Sequence, residues 1–173
     1  MTTQNSITAE DLHNKANYSI ASLEDEIRAD RHCAALLKQF HQYLLHELKT
    51  DPLEAGSLAA GADYFLREFI IGSKQENILD IPPLRVRQFG GNWYIIRNLE
   101  PNLDELTDMM LGTAAFYRYC AVQKLINKTT AEEIAQECAQ LDNFSRRIEE
   151  FHDIKGDGFK HWDLCCPLDN KNT

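Results

Sequence analysis

The chain has 173 residues, 43% of them hydrophobic and 26% charged, with a formal net charge of −9. That balance describes one soluble globular domain with a real core, and no uncharged apolar run approaches the roughly 18 residues of a membrane span. Acidic residues are spread along the chain and no basic block occurs, which works against a surface that tracks phosphate backbone over its whole length.

The first twenty residues, "MTTQNSITAEDLHNKANYSI", lack the basic start and apolar core of a secretory signal and are expected to be loosely ordered. From Ser22 to about Lys49 the apolar residues Leu23, Ile27, Ala34, Leu37, Leu44 and Leu48 recur at helical spacing, with Ser22 as N-cap. Asp51 and Pro52 start a second helix, "PLEAGSLAAGADYFLREFII", expected to run to about Gly72. Its Ala- and Gly-rich first half lets a partner helix approach closely, and Phe65, Leu66, Phe69 and Ile70 read as core.

The segment "LRVRQFGGNWYIIRN" has two readings. As a hairpin, Gly90-Gly91 is the turn between short strands near 86–97. As a helix, Val86, Phe89, Trp93 and Ile96 fall on one face, and the poor alternation of the hairpin favours this reading, although each glycine costs a helix about 1 kcal/mol. Asn102 with Glu105 opens a long helix ending near Asn127. A last helix starts at Thr130, with Glu133 completing a capping box and a stripe of Ile134, Cys138, Leu141, Ile148 and His152. The sum is an all-α bundle of about five helices, a single helical domain over 1–154. A tail over 155–173 is expected to pack on the bundle through Phe159 and Trp162.

The stretches "GADYFLREFII", "VRQFGGNWYIIRN" and "GTAAFYRYCAVQKLI" resemble a loosely defined set of uncharacterised prokaryotic helical proteins, through Phe89 and Trp93 and then Phe116 and Tyr117. That pattern in turn looks like the N-terminal, core-binding (SAM-like) helical domain of tyrosine recombinases, over about residues 40–127. The resemblance implies a helical fold and a role in clamping DNA. A recombinase also needs a catalytic domain with an arginine-rich site and a nucleophilic tyrosine, for which these 173 residues leave no room.

Three constellations offer chemistry. Arg85, Arg87 and Arg97, joined by Arg118, Lys124 and Lys128, would make a modest phosphate-contacting face for nucleic acid. His161, Cys165 and Cys166 in "GFKHWDLCCPLDN" are zinc-ligating residue types, although adjacent cysteines rarely hold one ion. Glu149–His152, like Glu10–His13, has the Glu-x-x-His spacing of di-metal helical bundles, which need further carboxylates from other helices. No phosphate loop, G-x-S-x-G elbow or H-E-x-x-H motif is present. Five cysteines, mostly isolated, fit reduced thiols in the cytoplasm. The expectation is therefore a cytoplasmic protein that acts by binding another protein or by self-association, leaning away from an enzyme and expecting no cofactor. A DNA-binding accessory module and a zinc or di-metal protein are the rival readings.

Overall fold

The computed structural model describes residues 6–166. Thr8 and Asp11 form a capping box at α1 (Ala9–His13), and a 3₁₀ turn over Lys15–Tyr18 follows. This segment buries Leu12 and Tyr18, and the Tyr18 hydroxyl donates to the Leu12 carbonyl at 2.8 Å. The Ser22 hydroxyl accepts from the Asp25 N–H ahead of α2 (Leu23–His46). Asp51 accepts from Leu53 and Glu54 at the head of α3, which runs as an α-helix over Pro52–Asp63 and continues as a π-helix over Tyr64–Lys74. Each such cap satisfies donors that have no partner inside the helix, worth about 1 kcal/mol.

Residues 84–97 are helical, and no strand occurs among the described residues. This element, α4, runs through Leu84–Gln88, a π turn over Phe89–Trp93, and Tyr94–Arg97. Its two glycines serve the approach of another helix. A Cβ on Gly90 would lie 2.8 Å from the Phe144 ring, so the bare backbone is what lets that ring seat. Asn102 caps α5 (Leu103–Val122). Asn127, not Thr130, caps α6 (Lys128–Cys138), its side chain accepting from the Thr130 N–H at 2.7 Å. The expected single last helix is broken at Ala139 and Gln140, so α7 (Leu141–His152) is separate, and α8 (Phe159–Leu164) follows the Gly156 turn. The described residues thus hold eight helices rather than about five.

The centre is an antiparallel pair. Gly61 of α3 faces Asp108 and Met109 of α5, while Gly112 of α5 faces Leu58 and Ala62 of α3. A Cβ at Gly112 would sit 2.2 Å from the Leu58 carbonyl oxygen, so the small-residue seam sets the separation of the pair. Helix α2 packs against α3, α6 against α5 and α4, and α7 against α5 and the π turn of α4. The core face of α2 is Ala29, Cys33, Leu36, Leu37, Phe40 and Leu44. Leu23, Ile27 and Leu48, expected on that face, are exposed, because the face that α3 covers is set by Cys33 and Phe40.

Aromatic rings fill the space on both sides of the seam. Phe65 and Phe69 from the π stretch of α3 meet Phe89 and Trp93 from the π turn of α4, with ring centroids 5.2–5.7 Å apart. Phe40, Phe116 and Tyr119 make a second group. Each buried ring removes enough apolar surface from water to contribute about 1.5–3 kcal/mol. Phe116, Tyr117, Tyr119 and Cys120 are therefore packing, and the Tyr117 hydroxyl is satisfied by the Ile78 carbonyl at 2.8 Å.

Candidate functional site

The six cations expected to form one basic face divide into three groups. Arg85 is buried and holds Glu76 with two of its nitrogens, Nε at 3.0 Å, while Nη1 donates to Gln88 at 2.7 Å. Arg87 makes a two-pronged pair with Glu137 of α6, both bonds at 2.9 Å. These two guanidiniums tie α4 to its neighbours, and their charge is answered within the fold. Arg97 lies 4.6 Å over the face of Trp93, where its cation meets the electron-rich ring.

Arg118, Lys124 and Lys128 form the third group, at the corner where α5 passes into α6. The chain turns there because Lys124 takes the left-handed conformation, φ 60°, that ends a helix. The Leu125 N–H then reaches back to the Cys120 carbonyl at 2.9 Å, and Asn127 starts the next helix. Two hollows adjoin at this corner and share Ala121 and Lys128. One, of about 460 Å³, has a floor of Ala121, Val122 and Ala131 and a rim of Arg118, Lys128 and Glu132. The other, of about 680 Å³, is more polar and is lined by Lys15, Asp80, Lys124, Asn127 and Glu133 among others.

Lys15 pairs with Asp80 and Lys128 with Glu132, each at 3.6 Å, and all four side chains are more than half exposed. Such pairs are weak and yield readily to a competing charge. Arg118 and Lys124 form no ion pair among the described residues. Behind the groove, burial pushes the Cys138 thiol up to about 12, with the charge of Arg118 pulling the other way. No protein-family model, curated protein or solved structure matches the chain.

The tail residues are arranged differently. Cys165 is exposed and its thiol bonds the His161 carbonyl at 3.5 Å, whereas Cys166 is buried on the other side. His161 is exposed, and so are Glu149 and His152, which places His152 outside the apolar face of α7. Glu10 and His13 are likewise exposed on α1. Among the described residues no group of three or more His, Cys, Asp and Glu side chains is placed to hold a metal ion.

What holds the tail is Trp162, 4% exposed, with the buried Arg147 lying 3.9 Å from its ring centroid. Arg147 donates to the Gly91 carbonyl at 2.8 Å and to the Trp162 carbonyl at 3.0 Å, and the indole N–H donates back to the Arg147 carbonyl. Burial lowers the pKa of this guanidinium, opposed by Glu150. Phe159, the other expected anchor, is 43% exposed at the edge of this group.

Sequence reasoning did not single out Val122, Ala131 or Lys15 for the groove. The signal available was local. Val122 is an aliphatic residue in the last turn of α5, and Lys128 opens a helix at the end where acids are favoured.

Proposed function

We propose that this chain is a binding protein that receives another protein in the groove between α5 and α6. The reading rests on the open pocket floored by Ala121, Val122 and Ala131, in which Val122 is left 59% exposed beside a charged rim. A concave apolar floor with a polar rim has the anatomy of a protein-docking site, since covering the floor removes apolar surface from water and the rim fixes orientation. No helix among the described residues is long and apolar enough to cross a membrane.

A DNA-binding accessory role, which the recombinase resemblance implies, has to rest on Arg97, Arg118, Lys124 and Lys128. Arg85 and Arg87 already hold Glu76 and Glu137. The aliphatic floor favours a protein over a phosphate backbone.

The experiment is site-specific photo-crosslinking in cells that produce the full chain, with benzoylphenylalanine in place of Val122 and, as control, of the fully exposed Leu99. A protein adduct of discrete mass at position 122, absent at 99 and lost with Arg118→Glu, is expected. An adduct of twice the chain's mass identifies a second copy as the partner. Adducts equal at both positions, or removed by nuclease, refute the proposal.

A further inference from the structure

We infer that the segment received by the groove is acidic and carries an aliphatic side chain, its carboxylates meeting Arg118, Lys124 and Lys128 while the aliphatic group covers Val122 beside the half-buried Ala121. The inference rests on the protein-docking reading above and names the partner's chemistry.

The charge pattern of the helix starts carries it. Helices α2, α3, α5 and α7 each place an acid in the first turn, where carboxylates offset the positive end of the helix dipole. Helices α4, α6 and α8 have no acid there, and α6 begins with a cation, Lys128. A cation at that end opposes the dipole, so the corner concentrates positive potential on a chain whose net charge is −9. Arg118 and Lys124 add to it from the α5 side. Arg118 and Lys124, like Arg31 and Arg97, meet no carboxylate within 4 Å among the described residues.

Lys124, like Lys49 and Gln75, takes the left-handed conformation just past a helix end, and its side chain is exposed there. The groove therefore presents two cations without a carboxylate partner among the described residues and an exposed aliphatic side chain, Val122, without a cover. One acidic segment with an aliphatic residue supplies both. Nucleic acid fits less well, because no aromatic ring lines either hollow to stack a base.

The test is selection from a phage-displayed library of random dodecapeptides on the full chain, with counter-selection on Arg118→Glu/Lys124→Glu. Fluorescence anisotropy of the enriched peptides follows at two salt concentrations, with labelled duplex DNA measured in parallel. The expected result is enrichment of sequences that set Asp or Glu beside Leu, Ile or Val. Their affinity should fall about tenfold or more with the double charge reversal and with added salt, and fall again with Val122→Asp. Circular dichroism confirms that these surface variants fold.

Groove-dependent peptides that are neutral or basic would overturn the acidic chemistry while leaving the docking reading standing. Peptides that bind all variants equally would overturn the inference, and crosslinking at position 122 then decides the docking reading by itself. Duplex DNA bound through Arg118 and Lys124 more tightly than any peptide would overturn both.

Discussion

A methyl group added at Gly112 measures how tightly the central pair is drawn together. The new Cβ would lie 2.2 Å from the Leu58 carbonyl oxygen, 2.9 Å from the Ala62 nitrogen and 3.1 Å from the Leu58 carbonyl carbon, all backbone atoms of α3. A carbon rests no closer than about 3.3 Å from such an oxygen, so the helices must part by about 1 Å along the seam. Overpacking of this kind costs about 1–3 kcal/mol, and the gap opened around it forfeits further dispersion contacts. Against this stands the better helix propensity of alanine, about 1 kcal/mol.

The net expectation for Gly112→Ala is a loss of about 2 kcal/mol, or roughly 4–8 °C in midpoint for a domain of this size. Gly56, exposed on α3 with nothing within 4 Å of its Cβ position, is the control. There alanine gains propensity without a clash and should raise stability by about 0.5–1 kcal/mol. Urea unfolding followed by circular dichroism, with a common m-value, compares the two. Gly112→Ala as stable as the parent, or the two variants shifting in the same direction, would refute the close-approach argument.

Further expectations follow from caps, strain and burial. Lys124→Gly relieves a left-handed backbone and should stabilise the chain by about 1 kcal/mol in thermal unfolding, while weakening the binding of acidic peptides; a loss of stability would sink the strain argument. Asp25 has its pKa lowered by the Ala21 N–H, then by the Ser22 hydroxyl and Arg28. A carboxyl depressed in the folded state contributes stability that is fully present above its unfolded value near 3.9, and loses it as pH falls through the folded value. Asp25→Asn should therefore lower the midpoint at pH 7 and converge with the parent at about pH 2; a gap that persists in acid contradicts the assignment. Cys33, Cys120 and Cys138 are buried with raised pKa values, whereas Cys165 is exposed. A disulfide reagent should label Cys165 at once and those three only as the chain unfolds, and fast labelling of all four in the native protein would show the core to be open.

Features set by residues a few positions apart were legible in the sequence. The caps Ser22, Asp51 and Asn102, the buried Phe65, Leu66, Phe69 and Ile70, and the close-packing first half of α3 are all where local chemistry puts them. The face of α2 was misread because Leu23 and Ile27 keep the helical period on a side that nothing covers. The break at Ala139 and Gln140 carries no glycine or proline to announce it. In the candidate site, Lys128 and Arg118 were visible as cations, but the neutralisation of Arg87 depends on Glu137, fifty residues away. The apolar floor likewise needs Val122 and Ala131 from two helices to meet across a turn.

The seat of Arg147 has a consequence for a chain cut short. The Trp162 carbonyl and ring that cover this guanidinium lie fifteen residues further on. A chain ending between the two would leave Arg147 with the Gly91 carbonyl and Glu150, and water would have to serve the rest of its donors. Loss of α8 would thus put a hydrated cation where the fold now buries one.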